Sequence, residues 1–109
     1  MYKVIVFAGT TEGYEISRFL GENQIPVLAC VATEYGSRSL KESSSLHVQA
    51  GRLDENEMKE LFSREKPELV LDATHPYAAE VTRNIRKACE EAEVSYTRIL
   101  RTGSGQQNA

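Results

Sequence analysis

The side chains of this sequence that could do chemistry fall mainly into three short clusters. The first, Gly9-Thr10-Thr11-Glu12-Gly13, stands between an apolar run and an amphipathic segment. Glycines there let the backbone turn tightly and a ligand come close, and the N-terminus of a following helix directs amide N–H groups at an anion. Thr10 and Thr11 can cap that helix or donate hydroxyls to phosphate oxygens. A diphosphate fits such a loop. So does an ordinary capped turn, because Thr11 stands where a full GxGxxG fingerprint has its second glycine and the spacing is compressed. The second cluster, Thr33-Glu34-Tyr35-Gly36-Ser37-Arg38, follows another apolar run, where the adenine ribose of a dinucleotide would lie. Arg38 would pair with a 2′-phosphate and favour NADPH, whereas Glu34 would hydrogen-bond a free 2′-hydroxyl and favour NADH. Gly36 and Ser37 read as a turn able to wrap a phosphate, which tips the reading towards Arg38. A solvated loop arginine is the alternative.

The third cluster, Asp72-Ala73-Thr74-His75-Pro76-Tyr77, is the most informative. A buried strand ends in Asp, Thr and His when the next helix needs a cap or when a ligand sits above the sheet. His75, which can cap a helix or donate a hydrogen bond, suits either use. Asp72 reads as a structural hydrogen-bond acceptor rather than a catalytic acid. His47 reads as a partly exposed strand residue.

The elements that position these clusters follow from periodicity. Residues 3–8, 27–32 and 69–73 are nearly continuous apolar runs, the pattern of strands covered on both faces, and 46–50 is a shorter one. Ile16, Phe19 and Leu20 mark a first amphipathic helix, and Met58, Leu61 and Phe62 mark a second, which Asp54 and Glu57 open as a capping box. Pro76 is placed for the first turn of a third helix, whose apolar face holds Ala78, Val81, Ile85, Ala88 and Ala92. Residues 94–100 complete the series as a fifth strand. Such alternation predicts an α/β fold: a doubly wound, flavodoxin- or Rossmann-like parallel sheet of about five strands in the order 3-2-1-4-5. Ligands bind such sheets outside the carboxyl ends of the strands, near the switch point. All the clusters fall there, together with Gly51-Arg52-Leu53-Asp54.

With 109 residues, 40% hydrophobic and 27% charged, the chain holds material for one core. Residues 1–101 are expected to form one nucleotide-binding domain and 102–109 a flexible tail. The net charge is −3 and the basic residues are scattered along the sequence, which argues against a nucleic-acid partner. Residues 1–8 form neither a signal peptide nor a membrane span, so no membrane association and a cytoplasmic location are expected. Cys30 and Cys89 have no metal-ligand spacing and read as small buried hydrophobes; no metal is expected.

Together, Gly9-Thr-Thr-Glu-Gly13, Thr33-Glu-Tyr-Gly36, Gly51-Arg-Leu-Asp54 and Asp72-Ala-Thr-His-Pro-Tyr-Ala78 resemble, in order, the motifs of the precorrin-6A and cobalt-precorrin-6A reductase family. The resemblance runs from about Val4 to Arg101. It differs at Ala8, where the family usually has another glycine. It implies a two-domain NAD(P)H-dependent oxidoreductase that delivers hydride to a tetrapyrrole macrocycle in cobalamin biosynthesis. This chain would carry the first domain, with the second absent and the fragment inactive alone. By resemblance, Gly9, Thr10 and Thr11 hold the diphosphate, and Tyr35, Gly36 and Arg38 the adenosine side. Gly51, Arg52 and Leu53 surround the adenine or ribose, and Thr74, His75 and Pro76 lie at the nicotinamide end. A stand-alone nucleotide-binding or regulatory module is the competing reading. A receiver-like domain is disfavoured because Phe7-Ala8-Gly9 and Ala50-Gly51-Arg52 lack its acidic residues. A short-chain dehydrogenase or epimerase is disfavoured because neither Tyr35 nor Tyr77 has a lysine four residues on.

Overall fold

A computed structural model of the chain describes residues 2–100. Among these residues strands and helices alternate as β1 (Val4–Ala8), α1 (Thr11–Glu22), β2 (Val27–Val31), α2 (Glu34–Arg38), β3 (Leu46–Ala50), α3 (Glu55–Glu65), β4 (Leu69–Ala73), α4 (Ala79–Ala92) and β5 (Tyr96–Arg98). The strands form one parallel sheet in the order β3-β2-β1-β4-β5, as the sequence predicts. Val4 pairs with both Val27 and Leu69, so the three central strands begin in line and end together at one carboxyl edge.

The apolar runs are continuous because both sheet faces are covered. Val4, Val6, Ala8, Val27, Ala29 and Val31 point to one side, where Tyr14, Ile16 and Leu20 of α1 and Leu40 pack on them. Ile5, Phe7, Leu28, Cys30 and Val70 point to the other, against Met58, Leu61 and Phe62 of α3 and Ile85, Ala88 and Cys89 of α4. The two-residue period of a strand thus divides each run between two cores. Both cysteines are buried, and burial pushes each thiol up to about 12; for Cys89 the charge of Asp72 adds to the effect. Among the described residues no helix is long and apolar enough to cross a membrane.

Three local expectations are corrected. The segment expected to be a turn at 33–38 is the short helix α2, capped by Thr33, whose Oγ1 accepts from Gly36 N at 3.1 Å. Gly36 is in close contact with α1, since a Cβ there would lie 2.7 Å from the Tyr14 hydroxyl. Pro76 does not open the third amphipathic helix, which begins at Ala79. It sits second in a turn closed by Ala78 N donating to His75 O at 2.9 Å, a position suited to the fixed φ of proline. The last strand is shorter than 94–100, because Val94 N donates to Cys89 O and so completes the end of α4. The capping box of α3 is present with both its bonds. The tail expected at 102–109 lies outside the described residues.

Gly13 sets how closely α1 lies on the sheet. A Cβ added there would stand 2.8 Å from Ala8 Cα and 3.0 Å from Ala73 Cβ, so β1 and β4 leave no room for it. Alanine gains up to about 1 kcal/mol of helix propensity over glycine. Overpacking against backbone costs typically about 1–3 kcal/mol and is expected to prevail. Gly13→Ala should therefore lower the urea midpoint; a raised midpoint would contradict the close packing.

Candidate functional site

Where the carboxyl ends of β1, β2, β3 and β4 meet the N-terminal turns of α3 and α4, the surface opens into a cleft of about 620 Å³. That volume lies within the roughly 300–1,000 Å³ of small-molecule sites. Gly9, Gly51, Arg52, Leu53, Thr74 and His75 all line it. Gly9 brings the loop after β1 against the loop after β4, since a Cβ there would lie 3.3 Å from Thr74 Cα. Gly51 has φ +115 and open space where a Cβ would stand, so its constraint is backbone conformation, which a side chain would strain.

The other expected site residues, Thr10, Thr11, Tyr35, Gly36, Arg38 and Pro76, do not line this cleft. Thr10 caps α1, accepting from Gly13 N at 3.4 Å, and its hydroxyl proton goes to Ala73 O at 2.9 Å. The hydroxyl therefore fastens the loop to β4, and the first turn of α1 begins at exposed Thr11. Tyr35 and Arg38 lie exposed on α2, while Gly36 is buried beneath them. Pro76 faces a second groove, on the far side of its own turn. Cys30, Met58, Val81 and Asn84 also line the cleft, and sequence reading did not assign them to it. Their signal was hidden in periodicity, since each also fits an ordinary core or helix position.

Beneath the loop after β4 lies Asp72, fully buried. Its Oδ1 accepts from Thr74 N at 3.1 Å, Thr74 Oγ1 at 2.7 Å and Arg98 Nη1 at 3.0 Å. Its Oδ2 accepts from Thr82 Oγ1 and Tyr96 OH, both at 2.8 Å. Burial opposes the charge, but hydrogen bonds from Thr74, Tyr96 and Thr82 outweigh it and hold the carboxyl below its ordinary range. Burial, followed by the bond to Asp72 and its charge, raises the Tyr96 hydroxyl. Arg98 Nη1 also donates to Thr74 O at 3.0 Å and to Asp72 O at 3.2 Å. The path of Thr74 is therefore fixed from below. His75 follows it, and its Nδ1 accepts from Tyr77 N at 3.2 Å, which leaves Nε2 carrying the proton of a neutral ring. The acceptor role read for Asp72 is present. Its donors Thr82, Tyr96 and Arg98 went unrecognised, because none of them stands near it in sequence.

A doubly wound α/β domain with a small-molecule cleft at the switch point of its sheet is what this fold and site define. The chain belongs to the precorrin-6x reductase family: residues 3–109 match the family model described as Precorrin-6x reductase CbiJ/CobK. It is 37% identical over 99 residues to the cobalt-precorrin-6A reductase of Methanothermobacter thermautotrophicus, covering 90% of this chain and 33% of that protein. It is 33% identical over 98 residues to that of Salmonella typhimurium, covering 90% and 37%. The structure of CobK precorrin-6A reductase superposes with a TM-score of 0.79 at 25% identity, over 98% of this chain and 42% of that one. The Bordetella bronchiseptica enzyme WbmH in complex with NAD+ has a TM-score of 0.72 at 20% identity, over 86% and 36%, a likeness of fold. The chain thus spans between about a third and two fifths of the length of these curated relatives. The family resemblance read from the four motifs is borne out.

The Asp72 carboxyl sets a pH dependence. Its folded pKa lies below the ordinary 3.8, so the unfolded chain takes up the proton first. The stabilisation is complete above about pH 4 and is lost as pH falls through the folded value. Asp72→Asn should destabilise the protein by on the order of 3 kcal/mol at pH 7, because Arg98 loses its counter-charge. The variant should also show a shallower loss between pH 5 and pH 2. Parallel urea midpoints across that range would contradict the assignment.

Proposed function

We propose that this chain is the cofactor-binding part of a precorrin-6A or cobalt-precorrin-6A reductase, and that the cleft at the carboxyl edge holds a reduced nicotinamide nucleotide. The observation that carries the reading is the convergence of Gly9, Gly51-Arg52-Leu53 and Thr74-His75 on one cleft in a member of the precorrin-6x reductase family. The donor set fits a dinucleotide. Gly9 offers a side-chain-free approach beside the first turn of α1, where backbone amides suit a diphosphate. Arg52 in the lining and Arg38 on α2 are guanidiniums with no hydrogen bond or ion pair among the described residues, and on this reading they serve the adenosine end. Tyr35 and Gly36 belong to the same flank. Leu53 and Met58 supply an apolar wall for a flat ring.

Bound in this way, the nucleotide supplies a hydride for a double bond of a corrin-precursor macrocycle. The residues of this chain bind, orient and shield. Thr74 and His75 stand at the nicotinamide end, with Pro76 turning the chain away from it. The Asp72 network holds that loop still. His75 offers its Nε2 proton as a hydrogen-bond donor. We assign the remaining wall of the site to a second α/β domain, consistent with relatives more than twice as long. Without that wall the macrocycle has no fixed place against the nicotinamide, so the isolated chain binds cofactor without turning substrate over.

Cofactor titration tests this directly. The chain is expected to bind NADPH more tightly than NADH. Arg38→Ala and Arg52→Ala should each weaken NADPH, on the order of tenfold, and leave NADH nearly unchanged. Gly9→Val should abolish binding of both, since its γ carbons would meet the Thr74–His75 backbone, while circular dichroism confirms the fold. Equal losses for the two cofactors would remove the 2′-phosphate assignment. Normal binding by Gly9→Val would remove the cleft.

A further inference from the structure

The turn at 75–78 has a cavity on each side. One is the cleft; the other is a groove of about 950 Å³ between α4 and β5. Arg83, Arg86, Lys87 and Arg98 line this groove against a single acid, Glu90. On a chain of net charge −3 this is a marked local excess of cations. It was hidden in the sequence, where the basic residues look scattered, because the spacing 83, 86, 87 places three on one helix face and β5 adds the fourth from a distance.

Two of the four have evident structural work. Arg98 is paired with Asp72 at 3.0 Å, and the Arg86 guanidinium lies over the Tyr96 ring at 5.6 Å from its centroid. Arg83 and Lys87 have no hydrogen bond or ion pair among the described residues. They stand four apart on one helix face, where like charges repel and weaken the helix. Pro76, Ala79, Val94 and Leu100 give the lining apolar surface beside Thr82 and Tyr96, so the groove suits a flat body with apolar faces and anionic arms better than it suits a bare anion. It also adjoins the proposed nicotinamide end, because Arg98, which lines the groove, donates to the carbonyl of Thr74, which lines the cleft.

We infer that the groove between α4 and β5 is a carboxylate-binding subsite for a polycarboxylated tetrapyrrole, with Arg83 and Lys87 as its free cations. The inference rests on the proposed function, since it lets one substrate reach from the cleft across the turn at 75–78. The reacting part of the ring then lies near Thr74 and His75, and peripheral carboxylates lie along α4.

Uroporphyrin, a tetrapyrrole rich in carboxylates, is the probe. Fluorescence quenching measures its binding to the 109-residue chain and to the double variant Arg83→Gln with Lys87→Gln, and NADPH binding is measured on both. Both side chains are exposed, so the fold should be retained. The double variant should bind uroporphyrin on the order of tenfold more weakly, with a flatter salt dependence, and NADPH as before. Equal uroporphyrin affinity in the two proteins overturns the subsite. So does equally effective displacement of uroporphyrin by an octaglutamate peptide, which would show that the groove reads charge alone. If uroporphyrin binds and is weakened in the double variant while NADPH never binds, the groove is supported and the cofactor reading fails.

Discussion

A carboxylate shut away from water needs its charge answered where it sits, and Asp72 is answered from three directions. Thr74 comes from the loop above it, Thr82 from α4, and Tyr96 and Arg98 from β5. The net stability from such a buried pair is small, because desolvating both ions offsets most of their attraction. Its effect here is positional. The donors of three elements converge on one carboxyl, so a shift of α4 or β5 would strand a buried polar group at a cost of about 1–3 kcal/mol. The backbone of Thr74 is thereby set, and with it the narrow clearance to Gly9, which packs against it.

The same network joins the two cavities. Arg98 holds the Thr74 carbonyl while its own side chain forms part of the groove, so cleft and groove share one wall, the segment from Thr74 to Ala79. A ligand on either side meets a backbone already fixed by Asp72. The contrast with the loop after β2 is instructive. Thr33 caps α2 with a single bond to Gly36, and Tyr35 and Arg38 stand out into solvent. The loop after β2 is lightly held and the loop after β4 firmly held, an asymmetry suited to the proposed site, in which only one end of the cofactor would react.

Much of this was legible in the sequence for identifiable reasons. Apolar runs such as Val4–Ala8 and Leu69–Ala73 marked the strands, because a sheet covered on both faces buries nearly every residue of a run, and their alternation with helices marked the order. The pair Asp54 and Glu57 marked the start of α3 because a capping box is local chemistry. Helix α2 was not legible: Gly36 and Ser37 are poor helix formers, and the segment is held by the Thr33 cap and by contact with Tyr14, a residue distant in sequence. Pro76 was misplaced for a similar reason. Its motif fits the first turn of a helix, yet Asp72 draws Thr74 down and the chain must turn once before α4 can start. Thr82, Tyr96 and Arg98 reach Asp72, and Arg98 joins the cations of α4, only through tertiary structure.

The central claim is that the carboxyl-edge cleft, and no other surface of this domain, receives the nicotinamide nucleotide. Amide chemical-shift mapping with 15N-labelled protein and NADPH tests it most directly. The account predicts that the largest shifts fall on Gly9, Thr11, Gly51, Arg52, Thr74 and His75, with little change at Phe19 and Leu20 on α1 or at Arg64 and Glu65 at the end of α3. Shifts concentrated away from the carboxyl edge, or no shifts at saturating NADPH, would contradict it.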